Sequence, residues 1–222
     1  MIPRVLEPEA MDTAEDAAEY DAMDHSGVNV RFVADFLASH GPCRGGTILD
    51  VGTGTARIPL ELCRVDPNAM VRAVDLAEHM LALGRKNVQE AGLTDRIRLE
   101  KVDAKGFPYP DRSFEAVISN SIVHHIPEPA AALAEMVRLV APGGTLFCRD
   151  LARPESSEHL EQLVTMYAGR ESASARDLLA ASLHAALTLN EVRAIVSAMG
   201  FSADDVALTS DRHWTWISRF IE

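Results

Sequence analysis

Apolar and polar positions change their period several times along this chain, and those changes divide it into elements. Val30, Val33, Phe36 and Leu37 recur at helical spacing before Gly41-Pro42 stops the run, so a helix is predicted over Val28–His40. Ahead of it, residues 9–24 are acidic and alanine-rich, with Ala14, Ala17, Ala18, Tyr20 and Met23 forming a weak apolar face, and a first helix is expected there. From Gly45 onward, short apolar runs alternate with helical patterns. Strands are predicted at Thr47–Val51, Met70–Val74, Ile97–Val102, Phe114–Ser119 and Thr145–Cys148. The intervening helices are predicted at Ala56–Val65, at Leu76–Ala91 (stopped by Gly92) and at Glu128–Val140, before the turn Pro142-Gly143-Gly144.

Past Arg149-Asp150 the pattern is helical over residues 155–186. Thr188, with Glu191 three residues on, reads as a capping-box start to another helix that ends near Gly200. Two last strands are expected around Val206–Thr209 and His213–Phe220, where Trp214 and Trp216 are assigned to packing. Strands alternating with helices imply a mostly parallel sheet covered on both faces, a three-layer α/β sandwich. Ligands of such sheets bind beyond the carboxyl ends of the strands. Asp75 and Asp103 stand at two of those ends.

Composition narrows the partners. At 222 residues, one domain is the expected organisation, and 47% hydrophobic with 24% charged residues is ordinary for a globular chain. The net charge of −12 argues against nucleic acid, whose binding rests on phosphate neutralisation by Lys and Arg. Cys43, Cys63 and Cys148 are widely spaced and read as reduced structural thiols. No signal peptide is discerned, and no stretch reaches the roughly 18 apolar residues of a membrane span, so a soluble, cytoplasmic protein is expected, as monomer or homodimer. No close HxH or HxxxH pair brings His25, His124, His125 and His213 together, and no metal is expected.

The chemistry concentrates in Asp50-Val51-Gly52-Thr53-Gly54-Thr55-Ala56, a strand end, a glycine turn and a helix start. Glycines at alternate positions let backbone approach a ligand closely, and the helix start offers unpaired N–H groups. A dinucleotide fingerprint needs a third glycine where Arg57 stands, which turns the reading away from a nicotinamide or flavin cofactor.

The longer pattern resembles the class I S-adenosylmethionine (SAM)-dependent methyltransferases. It is carried by Asp50–Ala56, the acid at Asp75, Val102-Asp103-Ala104, Asp111-Arg112-Ser113-Phe114-Glu115-Ala116-Val117 and Leu139-Val140-Ala141-Pro142-Gly143-Gly144, in the family's order. Ala56 departs from it, because many members have glycine there. The resemblance implies a Rossmann-like sheet of seven strands with the last antiparallel. It implies one domain with cap helices over 1–44, a SAM-binding core over 45–150, a helical cap insertion over 151–187 and a C-terminal helix and strands over 188–222. It assigns Gly52 and Gly54 to the methionine part of SAM, Asp50 to its amino group, Asp75 with Leu76 to the ribose, Asp103 and Ala104 to the adenine, and Asn120 to the neighbourhood of the sulfonium. A carboxylate suits a ribose diol because its two oxygens accept two donors side by side.

SAM already carries an electrophilic methyl group, so the task implied for the protein is in-line positioning of a small-molecule acceptor, leaving S-adenosylhomocysteine. His124 and His125, in the segment Ser119–Pro127, are the candidate catalytic residues, as proton acceptors or as pocket wall. Tyr20, His25, Arg149 and His213 are candidate substrate contacts, and Asp24 and Asp150 stand near them in sequence. Two other functions keep the same binding residues: a SAM-using enzyme of different chemistry, and a non-catalytic SAM-binding regulator. Product analysis separates the first and a SAM titration the second.

Overall fold

The computed structural model of the chain describes residues 2–7, 13–23 and 25–221. Its elements run in the order α1 (Ala14–Ala22), α2 (Ser26–His40), β1 (Thr47–Val51), α3 (Arg57–Val65), β2 (Met70–Asp75), α4 (Glu78–Glu90), β3 (Ile97–Lys101), β4 (Phe114–Asn120), α5 (Pro129–Leu139), β5 (Val140–Leu151), α6 (Ser157–Ala168), α7 (Ala173–Ala185), α8 (Leu189–Ala198), β6 (Val206–Leu208) and β7 (His213–Arg219). The strands form one seven-stranded sheet in the order β3-β2-β1-β4-β5-β7-β6. β1 pairs in parallel with β2 and with β4, and β2 in parallel with β3, whereas β6 and β7 are antiparallel. This is the mostly parallel, Rossmann-like sheet with an antiparallel end that the sequence implies.

The chain divides into two compact units. One holds residues 10–120, 131–148 and 217–222. Its core joins Phe32, Val33 and Phe36 of α2 to Ile48, Val71, Ala73, Ala116, Ile118 and Phe147 of the strands and to Leu62 of α3. Phe147 meets Phe32 edge-on at a centroid distance of 5.1 Å. Beside it α1 packs on α4 through Ala17, Tyr20, Ala77, Met80 and Leu83. Val33, Phe36 and Leu37 of α2 thus pack as the spacing predicts, whereas Val30, the fourth residue of that pattern, is exposed.

The other unit holds residues 1–9, 121–130 and 149–216. Its core is Leu151, Leu160, Leu163, Leu183 and Ala186, with Ile2 and Leu179 packed against it. Trp214 and Trp216 are fully buried, which supports the packing role. The capping box at the head of α8 forms as expected, with Thr188 Oγ1 accepting from Glu191 N–H at 3.2 Å and the Glu191 carboxylate accepting from Thr188 N–H at 2.8 Å. The three cysteines are buried, and none is in a disulfide. No helix among the described residues is long and apolar enough to cross a membrane.

Three local expectations gain detail. The stretch 155–186 is helical as expected, divided between α6 and α7. A Cβ at Gly169 would collide with Thr165 O, and Ser172 caps a new helix by accepting from Ala175 N–H. The fifth strand begins at Val140 and runs to Leu151, with the expected turn glycine Gly143 at φ +73° inside it. The first helix is described as Ala14–Ala22; residues 8–12 and Asp24 lie outside the described residues.

Candidate cofactor and catalytic site

The glycine turn is locked to the neighbouring strand from below. The N–H groups of Gly52 and Thr53 both donate to Val74 O, at 2.8 and 2.9 Å. Gly52, Gly54 and Ala56 all sit in the left-handed region, at φ +75°, +54° and +65°. Glycine takes that conformation freely, while an L-residue with a Cβ pays about 1–2 kcal/mol for it. Ala56 thus keeps the backbone of a third glycine, with its methyl fully buried. α3 starts only at Arg57 because Ala56 is a left-handed cap and not a helical residue. Gly84 lets α4 press onto this turn, since a Cβ there would stand 3.4 Å from Gly54 O and 2.6 Å from Leu99 Cδ2.

The two acids beside the turn differ in their satisfaction. Asp75, half-buried at the end of β2, accepts from Gly54 N–H at 2.7 Å on one oxygen and from Ala77 N–H at 2.9 Å on the other. A carboxylate has two oxygens of two acceptor positions each, which suits an acid that meets a ribose diol as well as backbone N–H groups. Asp50, next to last in β1, is 1% exposed, and its Oδ2 has no hydrogen-bond partner among the described residues. Burial, aided by the Asp75 charge, pushes its carboxyl up to about 7. Tyr20 of α1 lies over the turn: its Cε1 would be 3.8 Å from a Cβ on Gly54. Burial and the charges of Asp75, Asp21 and Asp50 raise its phenol above the ordinary value. His25 stacks on it, with ring centroids 4.8 Å apart.

Arg57, the residue that breaks the dinucleotide fingerprint, turns outward to Asp21 of α1, Nε to Oδ1 at 3.0 Å and a terminal nitrogen to Oδ2 at 2.9 Å. Asp103 accepts from Lys105 N–H at 2.9 Å and pairs with Lys105 Nζ at 3.1 Å, which hold its carboxyl below the usual range. Leu76, Ala104 and Asn120 are half-buried at the ends of β2, beyond β3 and at the end of β4.

In the other unit, Val123–His125 forms a single 3₁₀ turn. His124 is buried, and its Nδ1 lies 2.5 Å from Asp150 Oδ1. Asp150 Oδ2 also accepts from the N–H groups of Val123 and His124, so one buried carboxylate positions both the turn and the ring. On the far side of the ring, His124 Nε2 is 3.4 Å from Glu7 Oε1, and His125 Nδ1 is 3.2 Å from the same oxygen. Although burial alone would lower it, the carboxylates of Asp150 and Glu7 raise the His124 ring above its ordinary value. Arg4 clamps the turn by donating to the carbonyls of His124 and Ile126, at 3.2 and 3.0 Å, and to Ala185 O at 2.7 Å. Arg149 is buried and donates from Nε to Thr215 Oγ1 at 2.9 Å. His213 bonds Ser210 Oγ at 2.8 Å, and burial with the Arg212 charge lowers its ring to about 4.

The sequence named Asp50, Gly52, Gly54, Asp75 and Tyr20, and the structure gathers them around one turn. It likewise gathers His124, His125 and Asp150. Arg4 and Glu7 were missed, because a short irregular segment carries no periodicity and nothing in its spacing points to residues 123–126.

A glycine turn after the first strand, acids at the ends of the first two strands and after the third, and the strand order given above are similar to those of the class I, Rossmann-like SAM-dependent methyltransferases. The residues fit that cofactor. A buried carboxylate with an orphaned oxygen matches a cationic α-ammonium group, a turn with glycines at its rim admits the methionine part, and the two carboxylate oxygens of Asp75 suit a diol. The family model described as the methyltransferase domain matches residues 49–148. The chain is 34% identical over 113 residues to the ubiquinone/menaquinone biosynthesis C-methyltransferase UbiE of Geobacter sulfurreducens, covering 50% of this chain and 44% of that protein. It is 36% identical over 119 residues to phosphatidylethanolamine N-methyltransferase of Cereibacter sphaeroides, covering 51% and 57%. The chain thus spans about half the length of these curated relatives. In fold it is similar to a SAM-dependent methyltransferase from Aquifex aeolicus, with a TM-score of 0.67 at 19% identity, covering 94% of this chain and 99% of that one.

Proposed function

We propose that this protein transfers the methyl group of SAM to a small-molecule acceptor and releases S-adenosylhomocysteine. The observation that carries the reading is Asp50: a buried carboxylate, one oxygen orphaned, beside a backbone turn held open by left-handed residues. Leaving such a group unmatched costs free energy, and a cationic ligand removes the cost. Asp50 is assigned to the ammonium of SAM, Gly52 and Gly54 to its methionine part, Asp75 and Leu76 to the ribose, Asp103 and Ala104 to the adenine, and Asn120 to the reacting end.

Bound SAM supplies a methyl group on a sulfonium, an electrophile that needs no further activation. The chain's work is then to bind, orient and keep water away. His124 is assigned to the acceptor side as a positioning residue and not as a base, because its ring is held between two carboxylates. His125 shares Glu7 with it and is assigned to the same wall, with Arg149 and His213 as tentative substrate contacts. Proton removal by a ring is unnecessary for acceptors that attack as a free amine, a thiolate or an enolate.

The acceptors in the names of the relatives, a quinone ring and a phosphatidylethanolamine amine, set the first panel to try. A cytoplasmic monomer or homodimer that binds no nucleic acid belongs to the same proposal, supported by the buried thiols, none in a disulfide, and the net charge of −12. The test is calorimetric titration with SAM, followed by mass analysis of products with each acceptor. Micromolar binding, with S-adenosylhomocysteine formed alongside a methylated acceptor, supports it. No binding favours a fold kept for regulation, and SAM breakdown without methylation favours different chemistry on the same cofactor.

A further inference from the structure

Three ligand atoms converge in the second unit from two separate segments. Glu7, His124 and His125 each offer one ligand atom, all within 4.8 Å of one another, and Glu7 Oε1 is 3.4 Å from His124 Nε2 and 3.2 Å from His125 Nδ1. Glu7 is 8% exposed in its side chain and His124 3%, and the two rings lie side by side with centroids 4.1 Å apart. The ring of His124 is oriented from behind. Asp150 Oδ1 lies 2.5 Å from Nδ1, so Nε2 is the ring nitrogen turned to Glu7 Oε1, 3.4 Å away. Glu7 Oε1 is buried beside these two ring nitrogens, and Ser182 hydrogen-bonds the Glu7 carboxylate. One carboxylate oxygen and two ring nitrogens brought together in a buried place are donors that a single cation can draw on at once.

We propose that Glu7, His124 and His125 form a binding site for a divalent transition-metal ion of the zinc class, with Asp150 as the outer carboxylate that orients His124. Two imidazoles and one carboxylate are borderline donors, suited to zinc and its neighbours and poorly suited to calcium or magnesium. A carboxylate on the far nitrogen of a ligating histidine is the usual support of such sites. The charges of Glu7 and Asp150 match a dication. Arg4 fixes the backbone of the histidine turn from the same segment that supplies Glu7, so clamp and ligand arrive together. Three protein ligands leave a coordination position for water or an outside oxygen. Spacing within the 123–125 turn gives no sign of the site, because its third ligand comes from residue 7.

The proposal does not depend on the reading of the cofactor, and the test uses the metal alone. Chelator-stripped full-length protein is titrated with zinc chloride by calorimetry at neutral pH, and a parallel sample is loaded with cobalt(II) for its visible spectrum. One equivalent of zinc is expected, with a cobalt spectrum of low-coordinate nitrogen and oxygen ligation. Glu7→Gln and His125→Ala are each expected to weaken zinc binding at least tenfold, and Asp150→Asn by about 10–100-fold, with circular dichroism unchanged. Glu7→Gln and His125→Ala alter different elements, so one serves if the other fails to fold. Stoichiometry well below one, thiolate charge-transfer bands pointing to the cysteines, or undiminished affinity in a folded Glu7→Gln or His125→Ala variant overturns the proposal. SAM affinity in the same samples reports on the cofactor site separately.

Discussion

Asp75 accepts a hydrogen bond from Gly54 N–H at 2.7 Å, so the acid at the end of β2 braces the glycine turn that follows β1. Its second oxygen does the same for Ala77 N–H at the start of α4. The carboxylate therefore has a structural function before any ligand arrives. Asp75→Ala is expected to weaken SAM binding by about 1.5–3 kcal/mol, the range for hydrogen bonds to a charged group, and also to lower the melting temperature. Calorimetry with SAM and a thermal melt read the two effects. Intact affinity would show the ribose assignment to be misplaced, whereas lost affinity at unchanged stability would deny the bracing role.

Asp50 predicts a pH dependence. Its carboxyl is pushed up to about 7 in the folded chain, above the ordinary carboxylate value. The folded state holds this proton more tightly than the unfolded state does. The group's contribution to stability is thus present at low pH and is lost as pH rises from the ordinary carboxylate range through about 7. Binding an ammonium group needs the ionised form, so SAM affinity runs the other way. It should be about tenfold weaker near pH 6 than near pH 8, by proton linkage at this one site. Asp50→Asn should bind weakly and with a flat profile over that range. A wild-type profile that is itself flat would count against the assignment.

Ala56 occupies the left-handed region at φ +65°. Replacing it with glycine relieves about 1–2 kcal/mol of backbone cost but gives up one buried methyl, about 0.8 kcal/mol, so chemical denaturation should show a change within about 1 kcal/mol. Ala56→Val puts a β-branched side chain at the same φ in a fully buried place and should destabilise by at least about 2 kcal/mol. Equal stability of the two variants would mean that the turn is not held as described.

Arg4 donates to the carbonyls of His124, Ile126 and Ala185. Removing its side chain leaves those acceptors to find water and frees the segment around it. Arg4→Ala is expected to cost about 2–3 kcal/mol. It should also speed hydrogen exchange and proteolysis at residues 2–7 and 123–126 relative to the rest of the chain. Uniform exchange rates in the two proteins would contradict the clamp.

Contiguity decided what the sequence could show. The turn from Asp50 to Ala56 is one uninterrupted stretch whose residue types carry their own conformational meaning, so both its place and its chemistry were readable. The strands and helices of residues 45–140 were readable for the same reason, since each is a local period. Gly169 stops α6 inside a stretch whose alanines and leucines continue the helical period, and the strand character of Val140–Gly144 is masked by Pro142 and two glycines. The histidine turn was visible as two adjacent rings, but what those rings face was not. Asp150 and Glu7 reach them from β5 and from the start of the chain, and pairing across such separations leaves no mark on either segment.

The orphaned oxygen of Asp50 also bears on turnover. The ammonium group assigned to it is the same in SAM and in S-adenosylhomocysteine, and methyl transfer alters only the sulfur. An interaction made equally with reactant and product holds the cofactor in place without favouring the reaction itself. On the assignment proposed above, this carboxylate would grip the spent cofactor as firmly as the fresh one. Its departure becomes a step that can govern the rate, and S-adenosylhomocysteine is expected to compete with SAM at comparable concentrations.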